Sequence, residues 1–205
     1  MKLSKTGVAI LATAVFAAFG SAAGAQTDQQ QPQQPPPPAG PPLPGVCVLS
    51  NDKIVFNSVL GKYILSRLEQ LKAQVDAELN SENTSLETDA KALDAQRATL
   101  PQDQFEQKAN ALNARAQAFQ RTVQQRQREM EDTRNLALGR LGTEADPVVR
   151  QVFTERGCSL MFNGGALVYP APAMDVTDLV IRGLDAKIQQ FPFDREHLDA
   201  TAQGQ

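Results

Sequence analysis

The sequence predicts a mainly α-helical protein with a small β body, in which a long antiparallel helical hairpin is inserted between two short strand-like segments. Three observations carry this expectation. Leu79, Leu86, Leu93 and Leu100 recur every seven residues, the spacing of a coiled-coil seam. Neither Gly nor Pro interrupts Lys62 to Leu100, after which Pro101 in Thr99-Leu-Pro-Gln-Asp103 stands as the break. Val46-Cys-Val-Leu49 and Ser159-Leu-Met-Phe162, both short and apolar, flank the whole stretch.

The N-terminus reads as an export signal. Lys2 and Lys5 precede an uncharged apolar run from Gly7 to Phe19, and Ala23-Gly24-Ala25 has the small-x-small form of a cleavage site. Thirteen apolar residues are too few to span a bilayer, which takes about twenty. Residues 1–25 are therefore expected to be removed after Ala25, giving an exported protein whose formal charge moves from −3 to −5 with the loss of the two lysines. That mild acidity argues against a nucleic-acid partner bound by bulk electrostatics. Residues 26–45 form a Gln- and Pro-rich linker with eight prolines between Pro32 and Pro44 and almost nothing to bury. An extended polyproline tether is expected there.

The arm spans residues 58–141. The spacing predicts an outgoing helix from Ser58 to about Arg97 and a return helix from Gln102 to about Leu141, with the tip near Pro101. Phe105, Leu112, Phe119, Val123, Met130 and Ala137 continue the seam on the return, with Ala116 filling the alternation. Polar residues such as Glu82, Asp89 and Gln96 occupy several of its positions, so the hairpin is expected to be flexible. Charge is divided between the arms. Arg67 to Ala98 carries four basic and seven acidic residues, whereas Gln107 to Arg128 has Lys108, Arg115, Arg121, Arg126 and Arg128 with no acid. Antiparallel arms would bring these sets together as register-setting pairs; a basic stripe offered to a partner is the sharper reading.

Residues 46–57 and 142–190 make the body. Gly139 and Gly142 suggest a kink, and Pro147 a fresh helix from Val148 to Arg156 that Gly157 ends. Asn163-Gly164-Gly165 between Cys158–Phe162 and Ala166–Tyr169 reads as a hairpin turn, giving a sheet of three strands. Asp175 or Thr177 caps a last helix from Asp178 to about Gln190, and residues 191–205 form a tail. So few apolar residues point to a self-assembled core.

Catalytic signals are missing. His197 is the sole histidine and lies in the polar tail, and no nucleophile elbow, phosphate loop or metal-ligand spacing occurs, so neither an enzyme nor a cofactor is expected. Asn83-Thr-Ser85 has glycosylation-acceptor form without further support. Cys47 and Cys158 lie in the strands that flank the hairpin. In an oxidising compartment they either bridge the neck of the arm or remain two buried thiols.

Val55-Phe-Asn-Ser58, Gly61-Lys62, Leu68-Glu69, the charged hairpin, Gly157-Cys-Ser-Leu-Met-Phe162, Ala166-Leu-Val-Tyr169 and Asp175-Val-Thr-Asp178 together resemble the Skp/OmpH family of periplasmic chaperones over about Val46 to Leu184. The resemblance implies a homotrimer whose strands form a shared trimerisation body, with helical arms hanging around a cavity. It also implies ATP-independent holding of unfolded outer-membrane β-barrel proteins. The client-contact candidates are Lys108, Arg115, Arg121, Arg126, Leu86, Leu93, Phe105, Leu112 and Phe119, with weak attraction to an anionic membrane surface as a further expectation. The alternative is a structural periplasmic spacer or adaptor bridging envelope components.

Overall fold

A computed structural model describes residues 40–198. The expected signal peptide (1–25), most of the linker and the last tail residues lie outside the described residues. Strand β1 (Val46–Leu49) leads into helix α1 (Asn51–Asn57), followed by α2 (Val59–Ala95), α3 (Gln102–Glu155), β2 (Leu160–Asn163) and α4 (Thr177–Lys187).

The neck of the molecule is the pairing of β1 with β2, parallel and in register from Val46↔Leu160 to Leu49↔Asn163. Parallel neighbours require a long crossover, and here the crossover is the whole helical arm. Cys47 and Cys158 are joined by a disulfide with Cα atoms 5.8 Å apart, across a sequence separation of 111 residues. Both cysteines are buried in the core cluster, together with Ile54, Leu60, Ile64, Leu141, Val148, Val180 and Leu184.

Local chemistry explains the turn from strand to arm. Ser50 caps α1 by accepting from the Lys53 amide. Ser58 then ends α1 and starts α2: its Oγ donates to the Ile54 carbonyl at 2.6 Å and accepts from the Gly61 amide at 3.0 Å. The buried hydroxyl is thereby satisfied twice, and the two helices meet at a fixed angle. Gly61 is required by packing. A Cβ there would lie 2.0 Å from the Val55 carbonyl oxygen. The sequence placed residues 46–57 in the body without indicating α1, whose seven residues bury only Ile54 and are too short to show a period.

At 37 and 54 residues, α2 and α3 are about 55 Å and about 81 Å long. Pro101 stands at the N-cap of α3, so the arm reverses where the sequence placed its tip. The fresh start expected at Pro147 is overturned, because α3 runs unbroken from Gln102 through Pro147 to Glu155. Pro147 is exposed, as is Thr143, whose carbonyl the missing N–H would have served. At this exposed position the helix continues without that bond. Gly157, with φ +62°, ends the turn that follows.

The expected three-stranded sheet is also corrected: among the described residues the sheet has two strands. Asn163 does not open a hairpin. Its side chain accepts from the Gly165 amide, and Gly164–Ala166 coils into a single 3-10 turn that leads the chain away from β2. Val48 instead bridges to Asp175, and the Val176 amide donates to its carbonyl at 2.9 Å. The last helix begins with Val176 at the cap position and ends at Lys187 rather than Gln190. Asp175 supports it from one residue further out, accepting from the Thr177 amide at 2.9 Å, while Thr177 Oγ1 accepts from the Ser50 amide at 2.9 Å.

Two glycines provide a paired test. Gly61→Ala forces backbone apart at the α1–α2 junction and is expected to destabilise by about 1–3 kcal/mol. Gly139→Ala meets nothing within 4 Å in an exposed stretch of helix and should stabilise by roughly 0.5–1 kcal/mol. Urea unfolding of both variants checks the signs. In the same assay, reduction of the disulfide should lower stability by about 5 kcal/mol, the chain-entropy value for a loop of this size.

Candidate functional site: the arm and its root

Burial divides the arm into a root and an outer part. In α2 the buried residues are Leu60, Gly61, Ile64, Leu71 and Val75, after which only Leu86 is buried. In α3 they begin at Glu129 and continue through Thr133, Ala137, Leu141 and Ala145. Between these limits the arms are held by half-buried apolar residues and by ions.

The ions cross between the arms in three steps. Near the tip, Lys108 donates to Gln96 Oε1 at 3.0 Å, and the Arg97 guanidinium lies over the Phe105 ring at 5.3 Å. Midway, Arg115 reaches Glu82 and Asp89 and also donates to Ser85 Oγ at 2.8 Å. Closer to the root, Arg126 pairs with Glu78 at 2.7 Å and with Glu129 at 3.0 Å. Glu82 and Asp89, which dilute the hydrophobic seam, are thus the acceptors that fix its register. Arg121 and Arg128 are exposed and enter no ion pair among the described residues.

Of the apolar candidates, Leu86 is buried and Leu93, Phe105, Leu112 and Phe119 are half-buried. Leu93, Leu112, Asp89, Lys108 and Arg115 line an open groove of about 320 Å³ between the outer arms. A larger groove, about 830 Å³, lies at the root and was not anticipated. Its walls include Phe56, Leu65, Leu68, Val75, Leu79 and Met130, rimmed by Lys72, Arg126, Arg134, Glu69, Asp76 and Glu131. Alternation of charge and apolar residues along α2 could have flagged it, but only the pairing with α3 closes its sides.

The tail is the second unanticipated element. The sequence marked residues 191–205 only as a tail, whereas Phe191 is buried beneath the Arg140 guanidinium, 4.2 Å from its ring centre. Phe193 meets Tyr63 edge-on with ring centres 6.4 Å apart. Beyond it the chain crosses the root: Arg67 pairs with Asp194, and Arg195 pairs with Glu78 at 3.2 Å and Glu129 at 3.4 Å. His197 is exposed.

Glu129 is the centre of this network and is fully buried. Burial pushes its carboxyl up, but hydrogen bonds from Gln125 and the Leu198 amide, with the Arg126 charge, outweigh burial and leave it below the usual value. The Arg126 hydrogen bond likewise holds Glu78 low, against a smaller opposing effect of burial and with help from Arg195. A carboxylate whose folded pKa is depressed stabilises the fold fully above its unfolded pKa, near 4.5, and loses that contribution as pH falls through the lowered value. The melting temperature should therefore hold as pH falls to about 5 and then drop, and Glu129→Gln should flatten the acid limb. An acid limb of the same steepness in both proteins would remove Glu129 from the account. Glu129→Ala should cost about 2–3 kcal/mol by leaving its donors unpaired.

Among the described residues no group of three or more His, Cys, Asp or Glu is placed to hold a metal, and no helix is long and apolar enough to cross a membrane. Comparison with known proteins places this architecture. Residues 45–184 match the family described as Outer membrane protein (OmpH-like). No curated protein matches the chain. A crystal structure of an OmpH-like outer membrane chaperone candidate from Caulobacter crescentus CB15 is 44% identical and superposes with a TM-score of 0.75, covering 79% of this chain and 96% of that one. The neck, the long helical pair and the sequence match lead to one assignment: the chain belongs to the OmpH-like outer membrane protein family.

Proposed function

We propose that the chain is an ATP-independent holdase of the periplasm, a homotrimer that holds unfolded outer-membrane β-barrel proteins between its arms and prevents their aggregation. The observation that carries this reading is the long arm itself, whose outer part has little buried surface, in a chain of the OmpH-like family. Such an arm is held by weak, renewable contacts. Several arms acting on one client multiply small affinities while each contact still releases quickly. No nucleotide is needed for such a cycle.

Self-association is supported by the body. Leu160 is 57% exposed, Phe162 45%, Val168 82% and Tyr169 77%, all on or just after β2. A two-stranded sheet with apolar side chains at its edge is marginal alone and gains from burial against further copies. The client contacts proposed on the outer arm are Leu86, Leu93, Phe105, Leu112 and Phe119 with Lys108, Arg115, Arg121 and Arg126. Arg121 and Arg128, both exposed, are also the cations through which weak attraction to an anionic surface would act.

Dilution of a urea-unfolded outer-membrane β-barrel protein into buffer, with and without the mature chain, tests the reading by light scattering and complex mass. Suppressed scattering with three copies per client is expected. Unchanged scattering from a folded trimer would move the spacer reading to first place. Phe105→Ala combined with Phe119→Ala should reduce suppression several-fold while leaving the body's stability within about 1 kcal/mol, because both residues lie outside the buried core.

A further inference from the structure

The tail is gripped at several points through its main chain. From Phe193 to Leu198 it runs extended across both arm helices, and most of the groups that hold it are side chains of α2 and α3 bonded to its main chain. Arg67 Nε donates to the Phe193 carbonyl at 3.3 Å, and the Glu196 amide donates to Thr133 Oγ1 at 2.8 Å. The Leu198 amide donates to Glu129 Oε1 at 3.3 Å, and Gln125 Nε2 donates to the Leu198 carbonyl at 2.9 Å. Only Asp194 and Arg195 are also held through charge.

A surface that bonds a segment mainly through its amides and carbonyls tolerates many side chains, as does strand addition to a sheet edge. Two of the gripping residues, Glu129 and Thr133, are buried beneath the segment, so the slot is built into the core of the root. The segment itself is not. Phe191 is anchored in the core, Phe193, Arg195 and Leu198 are half-buried, and Pro192, Asp194, Glu196 and His197 are exposed. The tail beyond Pro192 can therefore lift away with Phe191 still in place.

We propose that the arm root is a binding slot for extended, unfolded polypeptide, and that the chain's own residues 193–198 occupy it in cis. The role assigned to the slot rests on the holdase reading: an arriving unfolded chain replaces the tail and gains main-chain contacts at the root. A tethered occupant competes at an effective concentration on the order of millimolar, so the slot admits a multivalent client and excludes isolated weak peptides.

The test uses the full-length chain. Arg195→Glu sets a third carboxylate against Glu78 and Glu129 and expels the tail without touching Phe191. The probe is a fluorescent peptide with the sequence of residues 192–198, followed by anisotropy, with circular dichroism as the check on folding. It should bind the Arg195→Glu protein at least about tenfold more tightly than the native chain, and adding Arg67→Ala to Arg195→Glu should weaken it again. Equal, weak binding to both folded proteins overturns the inference. If both proteins nevertheless suppress aggregation of an unfolded β-barrel protein, the holdase reading survives that failure. Probe binding by a chain that suppresses no aggregation sustains the slot and overturns the holdase reading.

Discussion

Everything in this architecture depends on the neck. Parallel pairing of β1 with β2 and the disulfide between Cys47 and Cys158 bring together positions 111 residues apart, and the intervening chain has no route except outward and back. Without that closure the helical pair would be two long helices with a thin seam. With it, the ends of α2 and α3 are fixed in the body, and the loop-closure entropy of the excursion is offset once, at its base. Ser58 and Gly61 complete the arrangement by turning the chain from α1 into α2 within a single residue.

From that fixed end, order diminishes along the arm. The root is packed on both helices and crossed by the tail, and its buried carboxylate at Glu129 is satisfied from Gln125, Arg126, Arg195 and the Leu198 amide. Further out, Arg115 with Glu82 and Asp89 substitutes for hydrophobic contacts that the seam lacks. Exposed pairs of this kind fix register at little gain in stability. The combination suits an arm that must keep its alignment while bending. Two cations of the return helix, Arg115 and Arg126, thus face acids of the outgoing one.

Much of this was legible in the sequence because it is periodic. The leucines at Leu79, Leu86 and Leu93, the break at Pro101 and the opposed charge of the two arms are local signals, and they place the hairpin and its tip closely. The misreadings fall where a single residue's preference was outvoted by tertiary context. Pro147 sits at an exposed position inside α3, and the helix runs on through it. Asn163-Gly-Gly is held by the Asn163 side chain in a single 3-10 turn and forms no hairpin. The tail was missed for a different reason. Its alternating Phe191, Phe193 and Arg195 hint at an extended segment with one face inward, but Glu129 and Thr133, which receive it, are more than sixty residues away in sequence.

The gradient from a rigid root to a loose outer arm is the central physical claim, and amide hydrogen exchange along α2 and α3 of the full-length, oxidised protein tests it most directly. The account predicts slow exchange from Leu60 to Val75 and from Glu129 to Val152, with protection falling by orders of magnitude between Glu82 and Arg115. Uniform protection out to Pro101 would contradict it, because the arm would then be a rigid rod rather than a flexible one.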